Sequence, residues 1–407
     1  MTGGTLRPIR ETIPIGQALA LVLEAATPIT RTEPVPLDQA HGRVLAESVL
    51  AAADVPPFER GAMDGFAVRA DDTSGATREV ARTLRCVGSI FTGMIPSIAV
   101  ARGECVAIAT GAPMPDGADA VVMVEDTDRI GDEVRVFAPV HPRQNVGRQG
   151  ADLAAGDTVL QAGSVITPSR LGALAAAGIA EPLVFARPAV AILSTGDEIV
   201  EPGRPLGPGQ IYDVNGHTLS AIVRMHGGVP IPLPRAPDAM EALMQAVAEA
   251  AESADLIVFS GGSSVGERDL ILDVMRAAGE VIFHGISVKP GKPTALGRVH
   301  SRPALGMPGN PTSCLSNGYL LLAPMLRRMA RLPEHRPHVL RLPLARRILS
   351  TTGRHQFYTV QVADGSAVPV FKSSGDITSM SQADGYIEIP AQTASVEAGE
   401  MVEVVLF

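Results

Sequence analysis

The segment SGGSSVGERD, Ser260–Asp269, concentrates groups that handle anions. Gly261, Gly262 and Gly266 let successive backbone N–H groups turn toward one anion, while Ser263 and Ser264 add hydroxyl donors, which is the chemistry of a phosphate cradle. The Gly261–Gly266 spacing imitates a P-loop, but Glu267 and Arg268 stand where that motif needs Lys and then Ser or Thr, which argues against a nucleotide triphosphatase. Glycines at a strand end can also serve only a tight turn, so other segments must carry the decision.

Two of them share its character. VKPGKPTALG, Val288–Gly297, sets Lys289 and Lys292 around a Pro-Gly turn, where two mobile cations can meet one polyanion; the plainer reading is two solubilising lysines. GMPGNP, Gly306–Pro311, fixes its backbone with Pro308 and Pro311, while Gly309 and Asn310 can take positive φ before a helix N-terminus. Carboxylates gather at equivalent places, with Asp197 and Glu198 following a strand in STGDE and Asp269 closing the glycine loop. They would repel a bare anion, and a Mg²⁺ ion resolves the conflict because it takes one or two carboxylates together with phosphate oxygens and water. Singly, each acid reads as a cap or a surface charge.

Other chemistries lack their signatures: there is no GxSxG elbow, no HExxH pair and no GxGxxG fingerprint. The nine histidines are scattered, and His335 and His338 fall in a Pro-rich stretch that reads as an exposed linker. The net charge of −9 argues against a general nucleic-acid surface. Cys86, Cys105 and Cys314 are far apart and odd in number, which fits buried thiols in a reducing, cytoplasmic compartment. No run of apolar residues is long enough to span a membrane, and Glu24 interrupts the apolar stretch Ala18–Ala26, which reads as a packed helix rather than a targeting segment.

These groups need elements to hold them, and 407 residues with 41 glycines and 33 prolines imply several domains rich in turns. Ile15, Leu19, Val22 and Leu23 recur at helical spacing after Pro14. AMDGFAVRA, ECVAIAT and AVVMVED read as strands of a β-rich domain over residues 54–143. Residues 1–53 and 144–187 form a small α+β region; GDTVLQAGSVITP looks like a hairpin, and Pro168 opens a helix that stops at Gly178. From Arg187 strands and helices alternate: Asn215 is a plausible N-cap, Asp238 caps a helix with Glu241 completing a capping box, and DLIVFS leads into the glycine loop. EVIFHGISV and PALGM continue the strands, and PTSCLSNGYLLLAPMLRRMA is a long helix begun by Pro311. This rhythm predicts a doubly wound parallel sheet over residues 188–332, with ligands beyond the carboxyl ends of its strands. The alternating FYTVQVAD, AVPVF, GYIEIP and EMVEVVLF predict a C-terminal β-barrel or sandwich over residues 333–407.

Taken together, PPFERGAMDGFAVR, TGAPMPDGADAVVMVED, STGDE, SGGSSVGERD, KPGKP and MPGNPTS occur in the order seen in the molybdopterin molybdenumtransferases, and the chain resembles that family, which includes MoeA and the gephyrin E-domain, over nearly its whole length. The resemblance implies a multidomain homodimer with a MogA-like α/β domain, whose active site is shared between that domain and the partner subunit's β-rich domain. It implies a transferase that inserts molybdate into adenylylated molybdopterin with Mg²⁺, releasing AMP and forming molybdenum cofactor. Carried over by position, the catalytic acids are Asp64, Glu198 and Asp269, with Thr110 beside them in role and Mg²⁺ on Glu198 and Asp269. Asp152 matches a further family acid, and Lys289, Lys292, Pro308, Pro311 and Ser313 match the molybdate and phosphate corner that Gly309 and Asn310 complete. The substrate-facing wall is then Ser260, Gly261, Gly262, Ser263, Ser264 and Gly266, with Asp238 ranking lower because one acid stands there instead of the family's pair. Other departures are Glu59-Arg60-Gly61 for Asp-Asn-Ser, Phe66 for Tyr, Ala151 for Glu and Ser263 for Val. A molybdopterin adenylyltransferase is the implied protein partner, and neither nucleic acid nor membrane is. Two readings compete: a catalytically weak paralogue acting as a protein-binding scaffold, and a pterin adenylyltransferase, which predicts a single isolated α/β domain.

Overall fold

The structure, a computed structural model, describes residues 11–234, 239–261 and 270–407. The chain divides into two units, one of residues 34–41 and 45–184, the other of the residues before 34, residues 42–44 and residues 185–407. Helix α1 (Ile15–Ala25) forms where its spacing predicts, but Ala18, Val22 and Ala25 pack into the core of the second unit. The sequence grouping had put this helix with the small α+β region, because nothing local tells an amphipathic helix which sheet it will cover.

The first unit carries β1 (Gly65–Val68), β2 (Arg82–Ile90), β3 (Glu104–Ile108), β4 (Ala120–Met123), β5 (Thr127–Ile130) and β6 (Glu133–Val136). They form one sheet in the order β4-β1-β3-β2-β6-β5, antiparallel except for the β2–β3 pair. Both faces are covered: Phe66 and Val68 enter one core with Val122, whereas Ala67 enters another with Val106 and Val121. Helix α2 (Pro168–Ala176) starts on Pro168 behind a Thr167 cap and is followed by Gly178 at φ 77°. Leu174 seals a smaller core with Val35, Leu45, Ile166 and Val184. The expected hairpin at 156–168 is absent, since Thr158–Leu160 pairs antiparallel with Val49–Leu50 and Gly163 and Ser164 bond to Leu45. A distant strand supplies the partner that a local turn was expected to bring.

In the second unit β7 (Ala189–Ser194), α3 (Asn215–Met225), β8 (Val229–Pro232), α4 (Met240–Ser253), β9 (Leu256–Ser260), α5 (Leu270–Ala278), β10 (Gly279–His284), β11 (Ala295–Val299) and β12 (Arg302–Met307) build a six-stranded sheet. Its order is β8-β7-β9-β12-β11-β10, with the first four strands parallel. The other two are antiparallel, where continuation of the parallel sheet was expected. The link from β10 to β11 is too short for a helical crossover, so the chain can only turn back. Alternate residues separate the two faces: Val190, Ile192, Leu256 and Val258 pack with α1 and α3, whereas Ala191, Leu193, Ile257 and Phe259 pack with α4 and α5. Fully burying a side chain such as Leu193 or Phe259 stabilises by about 1.5–3 kcal/mol.

Beyond β12 the helix opened by Pro311 runs as α6 (Pro311–Asn317), a π turn (Gly318–Leu322) and α7 (Ala323–Met329). Pro324 cannot donate its backbone bond, and the wider turn precedes it. The C-terminal strands β13 (Val339–Pro343), β14 (His355–Ala363), β15 (Ser366–Pro369), β16 (Gly385–Ile389) and β17 (Met401–Leu406) form a sheet with Val288–Lys289 as its sixth member. That pairing joins the KPGKP segment to the C-terminal sheet. The sheet runs along an open path, with β15 on β14 and a single bridge from Leu344 to Ala367, and it has its own core of Leu344, Val360, Ile387 and Val404. Among the described residues, no helix is long and apolar enough to cross a membrane.

Candidate functional site

Three parallel strands of the second unit end together, and their exits carry much of the chemistry read from the sequence. β7 ends at Ser194 and β9 at Ser260, paired residues, and Ser260 is also paired with Met307 at the end of β12. The Thr195 amide donates to the Ser260 carbonyl at 2.9 Å, extending the contact one step past the strands. Gly261 follows at φ 99°, so close that a Cβ there would collide with the Thr195 carbonyl; only glycine fits this exit. Gly309 approaches from β12, and a Cβ on it would lie 3.6 Å from the Gly261 Cα. Gly262, Ser263, Ser264, Gly266 and Asp269, together with Asp238, lie outside the described residues.

Glu198 is exposed in the turn after β7, and its carboxylate lies over Gly196, where a Cβ would come within 2.7 Å of it. Gly196 at φ 128° leaves room for that fold-back. Behind the turn, Asp213 accepts from the Ser194 hydroxyl at 2.7 Å and from the Gly216 amide at 2.8 Å. Asp213 therefore satisfies the start of α3, the task expected of Asn215. Asn215 is instead the first residue of the helix, and its amide donates to the Gly309 carbonyl at 2.8 Å. Buried Cys314 has its thiol pushed up to about 12, by burial first, with a hydrogen bond from Ser260 working against that.

The proline corner does not use the positive φ open to Gly309 and Asn310. Asn310 has φ −67°, an extended cap position, and Gly309 is absent from the positive-φ residues. Pro311 needs an extended residue before it, which decides the conformation of Asn310. The Asn310 side chain donates to Ser374 at 3.0 Å, the Thr312 amide bonds the Ser374 carbonyl, and the Thr312 hydroxyl bonds the Asp376 carbonyl. Ser313 and Pro308 are buried beside this contact. Lys289 reaches Thr351 at 2.7 Å, and Asn317 braces the following turn through Gly291 and Thr294. Lys292 is half-buried in that turn, where its carbonyl accepts from Ile286 and Thr294. Ser374, Asp376 and Thr351 come from loops between the C-terminal strands and were not singled out by sequence, where FKSSGD shows only a polar turn.

In the first unit Asp64 and Thr110 are brought together. The Thr110 amide and hydroxyl both donate to one Asp64 oxygen, at 2.6 and 2.9 Å, and hold its carboxyl below the usual carboxylate range. Gly65 beside it allows β1 to press against Val122, since any Cβ would strike that carbonyl. Asp152 is exposed elsewhere in this unit, with its amide on Val55. Its neighbourhood is organised by Asp54, which accepts from Ala155 and Gln149 and is likewise held low. Among the described residues, no group of three or more His, Cys, Asp or Glu side chains is arranged to hold a metal ion.

Known proteins match this chain along its length. The MoeA N-terminal region (domain I and II) matches residues 13–178, a probable molybdopterin binding domain matches residues 191–328, and the MoeA C-terminal region (domain IV) matches residues 341–407. Molybdopterin molybdenumtransferase 2 of Mycobacterium tuberculosis is 37% identical over 399 residues, spanning 95% of this chain and 97% of the relative. The chain belongs to the molybdopterin molybdenumtransferase family. The Haemophilus influenzae molybdopterin molybdenumtransferase is 34% identical, over 96% of this chain and 97% of its own. The crystal structure of a molybdopterin biosynthesis MoeA protein from Pyrococcus horikosii superposes with a TM-score of 0.82 at 38% identity, covering 97% of this chain and 99% of that one. Family membership over the whole length leaves no room for a lone adenylyltransferase domain. It also gives the strand ends a context: residues 191–328, matched as the probable molybdopterin binding domain, contain every exit described above.

Proposed function

We infer that this chain is a molybdopterin molybdenumtransferase, inserting molybdate into adenylylated molybdopterin with release of AMP to form molybdenum cofactor. The observation that carries this is the convergence of Thr195, Gly261 and Gly309 at three strand ends within the segment matched as the probable molybdopterin binding domain. Beyond the carboxyl ends of parallel strands is where open α/β sheets bind ligands.

In this reading the Gly309–Asn310 corner and Lys289 and Lys292 receive the anionic groups, while Glu198 stands at the lip. The exposed Glu198 carboxylate suits a Mg²⁺ ion, which needs one or two carboxylates and takes its other oxygens from phosphate and water, so a preformed cage of acids is not required. Asp269 is its proposed companion ligand. When bound, the ion neutralises charge on the phosphoanhydride. The chain's own part is to hold the phosphate against backbone donors and lysines, lowering the cost of charge that develops on the leaving AMP. In this reading Asp64, kept ionised by Thr110, orients an attacking oxygen. We propose that it does so from the partner copy of a cytoplasmic homodimer, which also receives its substrate from a molybdopterin adenylyltransferase. The scaffold reading gains no observation of its own.

The test is to give the purified chain adenylylated molybdopterin, molybdate and Mg²⁺ and measure AMP by chromatography. AMP release is expected. Asp64→Asn is expected to cut it by about two orders of magnitude, the scale of a lost positioning or acid–base group, with melting unchanged; Asp269→Asn is expected to do likewise. No release by the wild-type chain would overturn the assignment.

A further inference from the structure

We propose that Asn215 is a positioning residue that aims the Asn310 backbone N–H at the substrate's anionic group. The proposal rests on the reading of the strand ends just given. Asn215 is 8% exposed, and its Nδ2 donates to the Gly309 carbonyl at 2.8 Å. The peptide bond from Gly309 to Asn310 is trans, because the cis bonds are at Val55–Pro56 and Lys289–Pro290. In a planar trans peptide the carbonyl and the N–H point in opposite directions. Drawing the Gly309 carbonyl toward α3 therefore turns the Asn310 N–H away from α3. That N–H makes no hydrogen bond to the described residues, and Asn310 is exposed. One side chain thus sets the direction of a donor that no described residue uses, at the corner read as anion-binding.

The surroundings explain how Asn215 is kept for this task. Asp213 ties Ser194 at the end of β7 to Gly216 in the first turn of α3, which relieves Asn215 of capping. The clamp thereby runs from one strand exit through the helix start to another. It is held at a cost to folding: among the described residues Asn215 Oδ1 is buried without a hydrogen-bond partner, as is Thr195 Oγ1 beside Gly261. A leucine would fill a similar volume without that unpaired acceptor. Buried polar atoms left unpaired concentrate where function outweighs stability.

The experiment compares Asn215→Asp and Asn215→Leu in the full-length chain. Asn215→Asp keeps the shape but faces the Gly309 carbonyl with an oxygen in place of a donor; Asn215→Leu removes donor and unpaired acceptor together. Both are expected to raise the KM for adenylylated molybdopterin by about tenfold and to change kcat by less than about threefold, because the donor acts on binding. Melting of Asn215→Leu is expected to hold or rise, whereas a merely structural asparagine would lower melting and leave KM alone. Should Asn215→Leu fail to fold, the near-isosteric Asn215→Asp decides. An unchanged KM in an active Asn215→Asp enzyme overturns the proposal. Amide exchange over residues 308–314, which needs no turnover, is expected to quicken in Asn215→Asp. If the wild type releases no AMP, the assignment of function falls, while unchanged exchange would separately overturn the clamp.

Discussion

His226, at the opposite end of α3 from Asn215, offers a quantitative probe of the α/β unit. It follows α3, is 2% exposed, and among the described residues neither ring nitrogen has a hydrogen-bond partner. The His335 ring meets it edge-on at 5.5 Å and 80°. Burial, then Arg327 and His335, push its pKa down to about 4 from the ordinary 6.5. Well above pH 6.5 the ring is uncharged in both folded and unfolded chains, so it contributes no pH dependence there. Below 6.5 the unfolded chain takes up a proton that the folded chain refuses until about pH 4, and stability falls throughout that window. Between about pH 7 and about pH 5 the loss from this one group is about 2 kcal/mol, from about 1.4 kcal/mol per unit over the titrating range.

His226→Phe removes the titration and keeps a ring against His335. Because two units unfold in one chain, the informative quantity is the difference between variant and wild type, which cancels every other titrating group. Denaturant unfolding followed by far-UV circular dichroism, at several values from about pH 7 to about pH 5, is expected to show the variant gaining on the wild type by about 2 kcal/mol as pH falls. Equal losses in the two proteins would refute the argument, and with it the view that His226 is held neutral by burial.

Two further expectations concern charged groups. Thr110→Ala removes the hydroxyl but keeps the backbone donor, so the Asp64 titration followed by carboxylate NMR should move up part of the way to the ordinary value, and the acid limb of AMP release should move to higher pH with it. An unmoved Asp64 would mean the backbone amide alone sets it. Burial works to raise the Asp255 carboxyl, but Arg31, bonded at 2.7 and 2.8 Å, and the Ala189 amide outweigh it and hold it low. Arg31→Met should cost about 1–3 kcal/mol by neutral-pH unfolding, the lower part of the range applying because Arg31 is 56% exposed. Since the folded carboxyl is depressed, the cost should be present above the ordinary carboxylate range and shrink as pH falls through the folded value; a cost that persists in acid would point to lost packing instead.

What the sequence made legible was local. Leu193 and Ile192 point to opposite faces because strands alternate, and VAILS and LIVFS are apolar throughout because helices cover both faces. Strand β2 escaped the same reading although it is the longest of its sheet. Its register shifts between Cys86 and Ser89, so Leu84 and Cys86 enter one core and Ile90 the other, and the period of two is broken in mid-strand. Contacts between remote segments had no signature at all: Ser374 beneath Asn310 and α1 on the α/β sheet are choices made by packing.

The start of α3 shows how a local rule can find the right place and the wrong agent. A helix beginning at DVNG admits either Asp213 or Asn215 as its cap, and both side chains can accept a bond from a helix N–H. The carboxylate is the better acceptor, and it stands where the Ser194 hydroxyl can occupy its other oxygen. Asparagine differs in being a donor as well, and only a donor can hold the Gly309 carbonyl that β12 delivers to the same point. The sequence names two polar residues; the sheet order, by bringing the ends of β7 and β12 to either side of β9, decides which one caps and which one clamps.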